Sequence, residues 1–532
     1  MLDKTLSKHQ RKIIIITMVS VLTTSVLIFS LFFPIIIFFV VTKLKASFTT
    51  NDSDLRTSYP LLPSLFLLFK NRGRFTLWTS EIVLAAPTLT LSFHRDFAGR
   101  KIISADPAVV RHITKTHFDN YDKGRVFRST LYDLLGDGIF NSNAEKWKLQ
   151  RHIASSEFST KSLRRFVETV VDSQISGRLI PIMATAAAGN AAVDFQDVLQ
   201  RFAFDNICKI SFGYDPRSLS PALPSVEFAA AFDAAVNISG KRFLELFPLV
   251  WRIKKALDVG SEKKLNVAVG KVREFATNMV RKKKKKIERR LSLDQPNMDK
   301  DNDLLSRFLV SGYTDENFAT DIVISFILAG RDTTSAALTW FFWLLSNHPG
   351  VEAEIMKELK KWKPKTAASA YDEAKEMVYT HASLCEAMRL YPPVPFDSKE
   401  ALNDDVLPDG TVVKKGMRVG YLPYAMGRAE RVWGKDWAEF RPERWLDWDA
   451  AADKWAFVGR DAYAYPVFQA GPRICLGKDM AFIQMKGVVA AVLRRFRVVP
   501  VGGATPVYVA NLTAKMEGGF PVRIEARSEE SS

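Results

Sequence analysis

The chain has 532 residues and a formal net charge of +17; 47% of it is hydrophobic, with 27 Gly and 24 Pro, which excludes a disordered or collagen-like chain. The positive balance favours contact with a phospholipid surface, a nucleic acid or an acidic protein without choosing among them. Three cysteines, Cys208, Cys385 and Cys475, are too few and too scattered for a disulfide framework or a four-cysteine zinc site, which points to a reducing, cytosolic setting for the main body.

Residues 13–41 form an uncharged run rich in Ile, Val, Leu and Phe between Lys12 and Lys43. As a helix this run extends about 43 Å, enough to cross a hydrocarbon core of about 30 Å with tilt. A secretory signal has a shorter apolar region, and no small-residue cleavage site follows. Residues 1–45 are therefore expected to be a retained single-pass anchor and 46–532 the catalytic domain. Lys4, Lys8, Arg11 and Lys12 precede the run and only Lys43 and Lys45 follow closely, so charge counting puts the N-terminus in the cytosol. Cysteine usage and the chemistry below put the main body there, and the chemistry takes precedence.

Pro60 and Pro63 form a stiff elbow after the anchor. Alternation predicts strands over 88–93 and 101–104. Asp106-Pro107 reads as an N-cap with Pro at the first helical position, opening a helix through His117. From Asn143 the pattern is mostly helical, broken at Gly213, Pro216, Pro221 and Pro224. The run 281–290 is strongly basic but lacks interleaved aromatics, so it reads as a solvated helix end rather than a nucleic-acid tract. Residues 322–345 are apolar enough for a second span, yet the central Arg331 and Asp332 make that costly and argue for a helix buried in the core. Short strand patterns return at 411–413 and 506–509. The expected fold is mainly α with a minor β-sheet and no internal repeat.

The sharpest signal is Phe468-Gln469-Ala470-Gly471-Pro472-Arg473-Ile474-Cys475-Leu476-Gly477. Gly471 and Gly477 allow a tight turn, Arg473 adds a cation, and a helix is predicted from about Lys478, so Cys475 sits near a positive helix N-terminus that favours thiolate. An anionic sulfur in such a loop is what axial ligation of haem iron requires. The seven histidines show no HxxxH or HxxE spacing and are read as surface or packing residues, and Cys208 and Cys385 as buried and inert.

This pattern resembles the ligand loop of the cytochrome P-450 haem-thiolate monooxygenases, Phe-x-x-Gly-x-Arg-x-Cys-x-Gly, in full. Independent segments agree. In Ala329-Gly330-Arg331-Asp332-Thr333-Thr334, Gly330 admits a ligand near the backbone and Thr333 can divert a hydrogen bond from the helix ladder; the resemblance implies that Asp332 and Thr333 deliver protons during oxygen activation. Glu386 and Arg389 share a helix face ending before Pro392-Pro393, and the resemblance implies a buried structural triad with Arg444 of Phe440-Arg441-Pro442-Glu443-Arg444-Trp445. Trp445 stands where Phe is usual, which keeps an aromatic. Trp147 and Arg151 share a helix face behind a cap at Asn143; with Arg473 they resemble the family's contacts to the haem propionates. Phe468, Gly477 and Cys475 complete the implied cofactor site.

The implied reaction is monooxygenation at haem b ligated by Cys475, with electrons from NADPH through a partner NADPH-cytochrome reductase, since no Rossmann or flavin fingerprint occurs. Residues 134–141, 326–345 and 392–406 resemble the plant branch that hydroxylates fatty acids at the ω end and includes jasmonoyl-amino-acid and steroid side-chain hydroxylases. The expectation is an endoplasmic reticulum enzyme with a cytosolic catalytic domain, a lipid substrate, no nucleic acid, and Phe396 as the first pocket-lining candidate. A fatty-acid hydroperoxide isomerase or dehydratase on the same fold is the alternative of a different class, against which Asp332 and Thr333 argue.

Overall fold

The computed structural model describes residues 58–59, 70–96, 99–223, 227–245, 248–292, 303–312, 315–362, 369–450, 454–503 and 505–527. The chain divides into two compact units, Met1–Pro60 and Leu61–Ser532. The expected anchor over residues 13–41 and the elbow at Pro60 and Pro63 lie outside the described residues, among which no helix is long and apolar enough to cross a membrane.

In the second unit, β1 (Thr90–Asp96) and β2 (Gly99–Ser104) pair antiparallel where alternation predicts strands. Asp106 then accepts a hydrogen bond from Ala108 N at 2.8 Å and Pro107 opens α1 (Pro107–Arg111), the capping chemistry read in the sequence. The predicted helix through His117 is not uniform: it widens into a π-helical turn, His112–Thr116, closed by His117 N donating to His112 O at 2.8 Å. Residues five apart are thereby brought to one face.

Strand β3 (Tyr121–Asp122), α2 (Gly124–Leu135) and α3 (Ala144–Ser155) follow. Helix α4 (Phe195–Phe212) is capped by Asp194, which accepts from Gln196 N and Asp197 N, and stops at Gly213, whose φ of 64° suits glycine. Next come α5 (Glu227–Lys241) and α6 (Gly260–Ser292). The basic run ends α6 and is largely solvated as expected, except that Lys283 is buried and paired with Asp303.

Helix α7 (Glu316–Ser346) runs through the body. Ala319 to Leu328 belong to one apolar core with Phe204 and Phe308, and Ala337 to Leu345 to a second with Phe195 and Met485. The predicted buried central helix is borne out, and its polar middle falls where the two cores meet. Between Ala319 and Phe342 only Ala329, Gly330 and Thr333 keep partial exposure.

After α8 (Val378–Leu390) come β4 (Asp397–Ala401), the hairpin of β5 (Asp405–Val406) and β6 (Val412–Val413), and β7 (Arg418–Tyr421). Within this unit the main sheet runs β1-β2-β7-β4-β3. The β2–β7 pair is parallel, with Lys101 opposite Arg418, while β7–β4 and β4–β3 are antiparallel. Helix α9 (Lys478–Leu493) packs in the second core, and β8 (Phe496–Pro500) and β9 (Pro521–Ala526) pair antiparallel near the end of the chain.

Candidate active site

The loop before α9 is held by its own backbone. Cys475 N donates to Phe468 O at 2.8 Å, and Gln469 and Gly471 take φ values of 62° and 67° to make the turn. A Cβ on Gly471 would fall 2.0 Å from Thr114 O, so this glycine lets the loop lie directly on the π-helical turn. Phe468 stacks near Phe482 of α9, with ring centroids 5.2 Å apart. Gly477 is the N-cap of α9, and its N–H reaches the Cys475 sulfur.

The Cys475 side chain is accessible although it lies among buried surroundings. Burial pushes its thiol up; the Gly477 N–H, Arg151 and Lys478 favour the thiolate but do not outweigh that cost. The expected pull of the helix N-terminus toward thiolate is present in the Gly477 N–H but is outweighed by burial, and the arginine that acts on the sulfur is Arg151, where the sequence pointed to Arg473. A bound metal cation would supply the missing charge. Cys208 and Cys385 are buried as expected, and burial pushes the Cys385 thiol up to about 12.

Trp147, Arg151 and Arg473 are brought together from α3 and the loop. The Arg473 and Arg151 guanidinium carbons lie 4.4 and 5.8 Å from the Trp147 ring centroid. Arg151 Nη1 donates to Ile474 O at 2.7 Å, and Arg473 Nη2 donates to Ser142 O at 3.2 Å and Asn143 Oδ1 at 3.4 Å. One nitrogen of each is spent on the protein, and the remaining donors suit an anionic group. Asn143 is the first residue before α3 as predicted, but its side chain does not cap the helix. It binds Asp122 Oδ2 at 2.7 Å instead.

Three further charged groups join them that the sequence reading missed. Strand β4 is polar yet almost wholly buried, and its Asp397 carboxylate faces Lys123 Nζ at 3.3 Å and Lys399 Nζ at 2.5 Å. Burial alone would raise the Asp397 carboxyl, but Lys123 and Lys399 hold it well below the usual range. Burial brings Lys123 down to about 7 and Arg473 down to about 10, each partly countered by Asp397. The signal was present as Asp-Ser-Lys-Glu-Ala in an interior strand, where buried charges mark either pairing or a ligand.

On α7, Thr333 Oγ1 donates to Ala329 O at 2.6 Å, the diverted bond the sequence suggests. Asp332 faces elsewhere. Its Oδ1 accepts from Arg331 Nη1 at 2.8 Å and its Oδ2 from Thr513 Oγ1 at 3.2 Å, while Arg331 also pairs with Asp233 at 2.7 Å. A Cβ on Gly330 would fall 2.5 Å from Ile207, so this glycine also permits α4 to cross α7 closely, a role the sequence did not show.

Glu386, Arg389 and Arg444 form the expected buried triad. Arg389 Nε and Nη2 reach Glu386 Oε2 and Oε1 at 2.8 Å each, and Arg444 Nε reaches Oε1 at 2.9 Å. Arg389 also donates to the carbonyls of Gly427, Trp437 and Glu439, and Arg444 to those of Trp433 and Asp436, so the triad fixes the chain over 427–445. Trp445 does more than keep an aromatic. Its Nε1 donates to Glu386 Oε2 at 2.9 Å.

Residues 99–513 match the family described as "Cytochrome P450". The chain belongs to the cytochrome P-450 family. It is 55% identical over 487 residues to "Cytochrome P450 94A2" of Vicia sativa, covering 91% of this chain and 93% of that one. It is 47% identical over 502 residues to "Cytochrome P450 94B1" of Arabidopsis thaliana, covering 93% and 97%. A relative further off, "Cytochrome P450 86B1" of the same plant, is 42% identical over 489 residues, covering 88% and 84%. The chain is thus a monooxygenase, an oxidoreductase, of the 94 branch, and the family implies haem-thiolate iron, a redox partner and a lipophilic substrate.

Two segments that carry the branch resemblance have packing roles in this cytochrome P-450. Between α2 and α3, a Cβ on Gly136 or Gly138 would fall 2.0 Å from Asp321 or 2.1 Å from Ser325, and Asp137 N donates to Asp321 Oδ2 at 2.9 Å. Asn403 and Asp404 stitch the β5–β6 hairpin to Asn120 and Lys414. Phe396 lies just before β4 with its ring over Gly420 of β7 and remains 36% exposed.

Proposed function

We propose that this chain is a membrane-anchored hydroxylase of the endoplasmic reticulum, catalytic domain in the cytosol, that oxidises the terminal carbon of fatty acids or a related lipid. Its electrons come from NADPH through a membrane-bound flavin reductase. The observation that carries the reading is the accessible Cys475 sulfur beneath a backbone N–H, flanked by Arg151 and Arg473 on the Trp147 ring. The bound haem supplies the oxygen-activating chemistry, to which thiolate ligation donates electron density.

The chain's own residues do the rest. Cys475 would hold the iron within the Phe468–Gly477 turn, and Trp147, Arg151 and Arg473 would hold the haem carboxylates, with Lys123 committed to Asp397. Thr333 Oγ1 can turn its hydrogen bond from Ala329 O into the site, whereas the Asp332 carboxylate would have to loosen from Arg331 and Thr513 and take up a proton from solvent before passing one on. Glu386, Arg389 and Arg444 keep their distance from chemistry and fix the segment leading to the loop. Attack at a chain terminus needs apolar walls that keep internal C–H bonds away, and Phe396 is assigned to that wall.

Microsomes containing this chain and a reductase, offered fatty acids, jasmonoyl-isoleucine and hydroxysterols in parallel, are expected to give terminal fatty alcohols only when NADPH is present. Products from jasmonoyl-isoleucine or sterols alone would refute the fatty-acid reading, and turnover without NADPH would refute the reductase. Cys475→Ser is expected to abolish the strongly red-shifted Soret band of the reduced carbon monoxide complex, and Phe396→Ala to shift hydroxylation toward internal carbons.

A further inference from the structure

We propose that His112, His117 and Asp405 form a binding site for a single divalent transition-metal cation of the zinc type, separate from the haem site. The three donors come from two elements. His112 and His117 flank the π-helical turn after α1, and Asp405 begins the β5–β6 hairpin. Their ligand atoms lie within 4.8 Å of one another, the only such group of His, Cys, Asp and Glu among the described residues.

The geometry is convergent. His112 Nε2 and His117 Nδ1 lie 2.9 and 3.0 Å from the same oxygen, Asp405 Oδ2, and the imidazole rings meet at a tilt of 38° with centroids 4.0 Å apart. Ligands of a tetrahedral zinc at about 2.0 to 2.1 Å stand roughly 3.3 Å apart, so small side-chain rotations admit the ion. Each ring would present one nitrogen to the metal and keep its proton on the other. Two imidazoles and one carboxylate leave a fourth position for water, a donor set that suits zinc, copper or nickel.

The carboxylate is positioned from behind. Tyr121 OH donates to Asp405 Oδ2 at 2.9 Å, and Val406 N donates to Oδ1 at 2.8 Å. Asp405 is part-buried, while His117 keeps 43% of its side chain exposed and gives an ion a path in. Outer partners that aim a metal-ligating carboxylate in this way are part of metal sites generally. The spacing hid the site from the sequence. Two ligands on an α-helix meet at i and i+4, whereas the π-helical turn brings i and i+5 together.

The site also has a mechanical connection. The turn that would carry two of the ligands is the one on which Gly471 of the Cys475 loop lies, through Thr114 O. A cation drawing His112 and His117 onto Asp405 ties that turn to the β5–β6 hairpin.

The test uses untagged, haem-loaded full-length protein, stripped with chelator and dialysed against zinc chloride, with zinc and iron counted by mass spectrometry. One zinc per haem iron is expected. His112→Ala, His117→Ala and Asp405→Asn should each weaken binding at least about tenfold, whereas His152→Ala, at an exposed histidine elsewhere, should not. Zinc-edge X-ray absorption should show two imidazole nitrogens in the first coordination shell. If a variant fails to load haem, His117→Ala, at the exposed ligand, carries the test alone. No zinc at 100-fold excess over protein, or stoichiometric zinc surviving both His117→Ala and Asp405→Asn, would show a hydrogen-bonded cluster only and overturn the proposal.

Discussion

Glu386 is fully buried, and a buried carboxylate is tolerable only when every lone pair is met by a donor. Its Oε1 accepts from Arg389, Arg444 and the Arg441 backbone, which leaves Oε2 with Arg389 and the Trp445 indole. A phenylalanine at 445 would keep an aromatic ring edge-on to Tyr465 and stacked toward Phe457 but remove a donor from a charged acceptor. Hydrogen bonds to charged groups are worth roughly 1.5 to 3 kcal/mol. Trp445→Phe is therefore expected to cost about 2 kcal/mol, read as a lower urea midpoint with an unchanged carbon monoxide spectrum in the folded enzyme. The triad itself was readable in the sequence because its spacing and its motif are local. The role of the indole was not, since nothing in the linear order of residues says that an N–H points at a carboxylate 59 positions away.

Helix α8 carries both the triad's Glu386 and, one and a half turns earlier, His381, whose ring stacks on Phe482 of α9 with centroids 4.0 Å apart. Burial, reinforced by Lys486 and Lys478, brings the His381 imidazole down to about 3. An unfolded histidine titrates near 6.5, so between about pH 6.5 and 3 the unfolded chain holds a proton that the folded chain refuses. Stability must fall as pH drops through that window. From this one residue the loss between pH 7.5 and pH 5.5 is about 1.4 kcal/mol. His381→Phe keeps an aromatic against Phe482 and removes the proton. It should narrow the difference between urea midpoints measured at pH 7.5 and pH 5.5, and an undiminished difference would refute the linkage. Element-level reading from sequence was sound where one residue type decides, as at Asp106-Pro107 or Gly213. It missed what a neighbour decides. Gly330 serves the crossing of α4 and α7, and the irregular turn at His112–Thr116 breaks a helix that its composition would let run on.

At the scale of the molecule, the fold class was legible because a long apolar stretch interrupted by Arg331 and Asp332 has only one economical place, the middle of a protein core. The sheet was barely legible: its interior strand β4 reads Asp-Ser-Lys-Glu-Ala, and only buried pairing with Lys123 and Arg418 makes that composition tolerable. The site residues are drawn from α3, α7, α8 and the loop before α9, all within the unit Leu61–Ser532, which contains both apolar cores and the strands β1 to β9. The partners described above for these side chains are all drawn from that unit, whereas the proposed anchor lies in residues 1–45. Removing those residues should therefore separate membrane attachment from cofactor binding. The full chain, expressed in microsomes, is expected to resist extraction by alkaline carbonate, and a chain beginning at residue 46 to be released by it, while both give the red-shifted carbon monoxide band. A truncated chain that still resists carbonate would refute the anchor at 13–41, and a truncated chain without the band would refute the independence of the catalytic unit.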